Sequence, residues 1–207
     1  MLSHTVDPEF ELSGGALCLD FANTASRRKI PERSTDHLRT YDALITFAEV
    51  AKILPPEQIG ELRLYAVGRS GEARRALHKA ISYREDLFRA FSARAHDKAV
   101  PPEDLEQIND HAIAALSHRR LARAESGYRW EWEWNSKDML EFILWPIAQS
   151  AAELLTSSEL STVRMCEAPD CAWLFLDQSR NRSRRWCDMK VCGNRQKARR
   201  HYRRTHR

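Results

Sequence analysis

The first information lies in what this chain does not have. It has no long apolar run: the most apolar stretch, residues 142–147, is interrupted by Pro146 and is far too short to cross a bilayer. It has no secretory signature, because the opening MLSHTVDPEFEL places Asp7, Glu9 and Glu11 where a basic start and an apolar stretch would be needed. There is no phosphate loop; Gly14-Gly15 stands alone and reads as a turn. No Ser/His/Asp arrangement, carboxylate–histidine metal motif or titratable cluster of catalytic spacing is present. Internal repeats are missing too, and the only low-complexity stretch is a basic tail. These absences exclude membrane-spanning and secreted classes and point to a cytoplasmic protein that is not an enzyme. An enzymatic reading would need distant residues, such as Asp20, a histidine and Glu131 or Glu133, to converge in a polar pocket.

What is present is unevenly placed. The net charge is +4, from 33 Lys and Arg against 29 Asp and Glu. Residues 166–207 hold 12 basic against 4 acidic residues, which leaves 21 against 25 upstream. A basic end on a mildly acidic body is the charge pattern of a polyanion-binding protein. The 5 cysteines divide likewise: Cys18 is alone, and Cys166, Cys171, Cys187 and Cys192 lie together. Cys18, in GGALCLDFANT, is expected to be a small buried hydrophobe.

Periodicity predicts a helix-rich body. GGALCLDFANT is an apolar run between turn residues and reads as a short buried strand. Ser34, Thr35 or Asp36 would cap a helix presenting Leu38, Tyr41, Leu44 and Ala48 on one face. Pro55-Pro56 and Pro101-Pro102 would each start a helix, the second with Leu105, Ile108, Ala112 and Leu116 facing inward, and a longer helix would cover about 72–96. YRWEWEW, residues 128–134, alternates aromatic and charged residues. It predicts a half-buried strand, turned back at ESG from a partner near 120–124. A last helix over about 137–155 would be kinked at Pro146. The expected architecture is α+β, with strands from distant parts of the chain meeting in one small antiparallel sheet. Asp20 and Asn23 are expected to bond at a strand end or, less simply, to line a pocket. The tryptophans of the 128–134 strand are expected in a core or interface before a ligand cage.

The four clustered cysteines carry the clearest chemistry. Four residues separate Cys166 from Cys171, fifteen separate Cys171 from Cys187, and four separate Cys187 from Cys192. Two close pairs at that distance match a four-thiolate zinc site, in preference to two disulfides or unrelated free thiols. Four thiolates fill the tetrahedron, so one structural zinc is expected and not a catalytic one. About 40 residues cannot build an independent core, and zinc binding contributes roughly 10–16 kcal/mol to such a module. WLFLD and RRWC are expected as the two strands of a hairpin between the pairs. A helix would start at Gly193-Asn194, capped by Asn194, with Ala198 and Tyr202 docking on the finger. Arg184, Arg185, Lys190 and Arg195 would offset the thiolate charge. His201 and His206 read as surface histidines.

The segment CEAPDCAWLFLDQSRNRSRRWCDMKVCGNRQKARRHYRR resembles the CGNR zinc finger, whose naming tetrad is here Cys192-Gly193-Asn194-Arg195. The preceding part, with GGALCLDFANT and IAQSAAELL, resembles the ABATE domain that accompanies this finger. The resemblance implies a stress-induced transcription regulator, with an ABATE-like domain over 1–160, sensing a ligand or dimerising, and a treble-clef-like DNA-binding finger over 161–207.

Arginine suits such a role, because its planar fork pairs bidentately with phosphate oxygens or guanine edges. The candidate nucleic-acid contacts are Arg182, Arg184, Arg185, Lys190, Arg195, Lys197, Arg199, Arg200, Arg203 and Arg204. On a helix, Arg195, Arg199 and Arg203 would make one row and Arg200 with Arg204 another. The expected partner is DNA on the nucleoid, with structured RNA or the ribosome as the alternative, beside an effector molecule or a second copy of the chain; no membrane partner is expected.

Overall fold

Helices build the body because apolar residues recur every three or four positions between proline starts and capping residues. In the computed structural model the described residues are 10–133 and 138–205. The body comprises α1 (Leu17–Ala22), β1 (Ala25–Ser26), β2 (Thr35–Asp36), α2 (Tyr41–Val50), α3 (Pro56–Val67), α4 (Ser70–Ala95), α5 (Pro102–Ser117), β3 (Arg119–Arg123), β4 (Tyr128–Trp132) and α6 (Leu144–Thr156). After it come β5 (Val163–Met165), β6 (Leu174–Leu176) and α7 (Asn194–Thr205). The fold is α+β, as expected.

The first element departs from expectation: residues 17–22 form a helix and not a strand. Cys18, Leu19, Phe21 and Ala22 are fully buried in it. LCLDFA contains no β-branched residue, and its apolar side chains are buried by packing α1 against α4 and α6. Cys18 is the small buried hydrophobe anticipated; burial pushes its thiol up to about 12, which leaves it unreactive.

Thr35 and Asp36 cap no helix. They pair with Ala25–Ser26 as a two-residue ladder, and Thr40 caps α2, its Oγ1 accepting from Ala43 N at 3.1 Å. The proline starts of α3 and α5 hold. The inward face of α5 is rotated from the expected one: Asp104, Ile108 and Ala115 are buried while Leu105 and Leu116 are exposed. On the buried face Arg89 Nε, from α4, reaches the Asp104 carboxylate at 2.8 Å. Helix α6 begins only at Leu144, so Pro146 lies in its first turn, where a missing N–H breaks no bond, and produces no kink. Lys137, the expected start, is outside the described residues.

The strands do not meet in one sheet. Among the described residues three separate antiparallel pairs form, β1–β2, β3–β4 and β5–β6, each between elements close in sequence. The hairpin over 119–132 is the predicted one. Its aromatic face is not half-buried along its length, however: Trp132 is partly covered, but Trp130 is 57% exposed and Tyr128 77% exposed. Trp134 lies outside the described residues. Among the described residues no helix is long and apolar enough to cross a membrane.

The 26-residue α4 is the spine of the molecule, touching α1, α2, α3, α5 and the strands β5 and β6. It also holds the loop after β1. Arg84, with only 4% of its side chain exposed, donates to Asp36 Oδ1 at 2.7 Å and Oδ2 at 2.8 Å, and Arg28 donates to Glu85 at 2.6 and 2.9 Å. Burial would raise the Asp36 carboxyl, but the Arg84 fork outweighs it and holds it below its usual value.

Candidate metal centre and nucleic-acid interface

The four cysteines meet in a small buried cluster of their own, with Ala168 and Phe175 and flanked by Trp173 and Trp186. Their sulfurs all lie within 4.8 Å of one another, with Cys171–Cys187 and Cys187–Cys192 at 3.7 Å. Four sulfurs about 2.3 Å from one zinc sit roughly 3.8 Å apart at the corners of a tetrahedron, so the donor set fits Zn²⁺ in type, number and spacing. The thiols share protons unequally: their mutual hydrogen bonds hold Cys166 and Cys171 below the usual thiol value and push Cys187 and Cys192 above it, so a cation is needed to hold all four as thiolates. These four residues are the structural zinc site.

Local geometry shapes each corner. Between the first two cysteines the chain turns with Cys171 N donating to Ala168 O at 3.1 Å. Ala172 then takes a φ of 132°, in a region that L side chains rarely adopt, and Trp173 N donates to Cys171 Sγ at 3.4 Å. Past Cys187, Asp188 caps a single π-helical turn over Met189–Gly193, its Oδ1 accepting from Val191 N at 2.6 Å. Asn194 is thus already helical and is not the expected cap. A Cβ on Gly193 would stand 2.4 Å from Met189 Sδ and 3.2 Å from Trp186 Cδ1, so the exposed Met189 side chain would have to swing aside.

The predicted hairpin inside the finger does not form. β6 pairs with β5, on the N-terminal side of the first cysteine, and the chain over 184–187 is not a strand. The reason lies in the body. Asn23 donates through Nδ2 to Leu174 O at 2.9 Å and accepts from Leu174 N at 2.8 Å, so one edge of β6 is bonded to the end of α1. Leu176 N donates to Gly14 O at 2.8 Å, and Trp173 Nε1 to Ala25 O at 3.2 Å. Lys29 Nζ donates to Cys166 O at 2.7 Å and Ala168 O at 3.2 Å, gripping the first cysteine turn. Asn23 is therefore a joint, and the crevice that it lines with Asp20 is only about 10 Å³. Asp20 bonds its own turn, accepting from Gly14 N at 2.7 Å, and burial pushes its carboxyl up to about 6.

The basic candidates divide by environment. Arg184 is turned inward: Nε donates to Trp186 O at 2.9 Å, Nη2 donates to Cys187 O, and its guanidinium lies 4.5 Å over the Phe175 ring. Arg185 pairs with Glu167 at the surface. Arg195 Nη2 reaches Cys192 Sγ at 3.3 Å and offsets thiolate charge as expected; it also pairs with the buried Asp170 at 3.3 Å, as does Arg199. The row through Arg195 and Arg199 thus faces the finger. At 100° per residue, Lys197, Arg200 and Arg204 fall on the opposite side of α7. Arg182, Lys190, Lys197, Arg200, Arg203 and Arg204 are exposed, with no acid paired to them among the described residues. Ala198 and Tyr202, the expected docking stripe, are both exposed, and α7 packs chiefly on the π turn. His201 is exposed; His206 lies outside the described residues.

Lys29, Asn23 and Gly14 were missed as partners of the finger. Each lies more than 130 residues from its contact, and nothing in a polar loop such as 27–33 signals it.

Fold and site together define a class: a helical body joined to a four-cysteine zinc finger that ends in a basic helix. A family model described as "Putative stress-induced transcription regulator", ABATE, matches residues 15–158, and the CGNR zinc finger model matches 162–205. The chain belongs to the ABATE family and carries a CGNR zinc finger. Both families are regulatory or zinc-binding and not enzymatic. No curated protein matches the chain.

Proposed function

We propose that the chain is a DNA-binding transcription regulator and not an enzyme. The finger and α7 contact the duplex, and the body over about 1–160 receives a small-molecule effector. The observation that carries this reading is the two-faced terminal helix. Arg195 and Arg199 root α7 on Asp170 beside the zinc site, and Lys197, Arg200 and Arg204 are left to point outward. A helix fixed at its base by a metal centre presents charge at a defined place, which a loose cationic tail does not.

Arg182, Lys190, Lys197, Arg200, Arg203 and Arg204 would chiefly bond phosphates, giving position more than sequence readout. Six such contacts predict that log K for duplex DNA falls with log salt at a slope of about −5, at −0.9 per phosphate. Filter binding or anisotropy across a salt series tests it; binding that is absent at low salt would refute it. Competition between duplex DNA and structured RNA at matched salt decides between DNA and the RNA alternative.

A further inference from the structure

A groove in the body lies between α5, α6 and the β3–β4 hairpin, with a volume of about 470 Å³. That size suits a small organic molecule, and its walls follow the usual plan of apolar surface with a few convergent polar groups. Leu116, Ala152, Trp130 and Trp132 supply the apolar part, and Arg119, Gln149, Glu153 and Thr156 the polar part.

The register explains why these side chains share a face. Arg119 lies opposite Trp132 and Leu121 opposite Trp130, and opposed residues of an antiparallel pair project to the same side. The Arg119 guanidinium stands 4.5 Å from the Trp132 ring centroid and 5.4 Å from that of Trp130. Its Nη1 donates to Gln149 Oε1 at 2.6 Å, while Gln149 Nε2 donates to the exposed Glu153 at 2.6 Å. Gln149 is oriented by this chain, and Arg119 is held by an uncharged partner. Glu153 also lines the groove but accepts from Gln149, and no carboxylate among the described residues pairs with Arg119, so a half-buried cation keeps N–H groups without an anion.

We propose that this groove is a binding site for a planar aromatic carboxylate, its ring against Trp130 and Trp132 and its carboxylate on Arg119. The inference rests on the reading of the body as effector-binding and names the class of effector. Indole faces offer stacking area, and the guanidinium supplies the bidentate fork that a carboxylate fits. The groove also has a route to the finger. Gln149, Ala152 and Thr156 line it from α6, and the adjacent Ser150 accepts from Cys18 N at 3.2 Å in α1, the helix whose end carries Asn23.

The test is a calorimetric titration of the full-length, zinc-loaded protein with 1-naphthoate and with the uncharged 1-naphthalenemethanol, without nucleic acid. Naphthoate is expected to bind saturably at one site and at least tenfold more tightly than the alcohol. Arg119→Gln should remove that preference, Arg119→Lys should keep part of it, and Trp130→Ala should weaken both ligands. Zinc content and thermal unfolding of each variant establish that it is folded. No saturable binding, or a preference that survives in Arg119→Gln, overturns the proposal. So does sedimentation that shows a dimer disrupted by Trp130→Ala, which would assign this face to a second copy. Because the titration contains no DNA, its failure leaves the DNA-binding reading to the salt series.

Discussion

Replacing Asn23 should loosen the finger from the body, and the size of the effect follows from two bonds. Asn23 is 3% exposed, and both its side-chain atoms are used on the N–H and C=O of Leu174. Asn23→Ala leaves one buried donor and one buried acceptor without partners, at roughly 1–3 kcal/mol each, so about 2–6 kcal/mol is expected. That is a large fraction of a total stability of order 5–15 kcal/mol. Asn23→Asp keeps the shape and the acceptor for Leu174 N but sets a carboxylate oxygen against Leu174 O, so it should cost at least as much. Urea unfolding of the zinc-loaded variants, with zinc release measured alongside, reads both effects. A loss below about 1 kcal/mol in both variants, with unchanged zinc retention, would refute the role of Asn23 as the joint.

Three further outcomes are expected. Purified protein should hold one zinc per chain, and Cys187→Ser should release it and unfold the finger while the helical signal of the body persists, as read by metal analysis and circular dichroism. Arg184→Lys should destabilise the finger because it loses the carbonyl bonds and the Phe175 stack, whereas Arg200→Lys should change neither stability nor DNA affinity much; thermal melts and binding curves separate them. Asp20 titrates at about 6 in the fold against 3.8 in the unfolded chain, so the folded state binds the extra proton. Its stabilising contribution is complete below about pH 4 and is lost as pH rises through 6, by up to roughly 3 kcal/mol. In Asp20→Asn that component of the pH dependence of unfolding should vanish.

The chemistry was legible in the sequence wherever it depends on local spacing. The paired cysteines, the proline starts of α3 and α5, the alternation of 128–132 and the basic terminal helix are set by residues within one or two turns of each other, and each stands where the pattern places it. GGALCLDFANT misleads as a sequence because a six-residue apolar run fits a buried strand or a buried helix equally well, and only packing between α4 and α6 decides. The same limit applies to Thr35 and Asp36, whose capping chemistry is overridden by a ladder and by Arg84.

By itself, then, the sequence determined the metal, its four ligands, the α+β class and the placing of positive charge at one end. The tertiary structure alone decided which arginines are committed to the finger and which face outward. Charge is a property of residue type, but availability depends on what lies within 3–4 Å, and for Arg195 and Arg199 that is the carboxylate of Asp170. It also decided how the finger is held: Asn23 and Lys29 reach Leu174 and Cys166 across more than 130 residues of chain, a distance over which local pattern carries no signal.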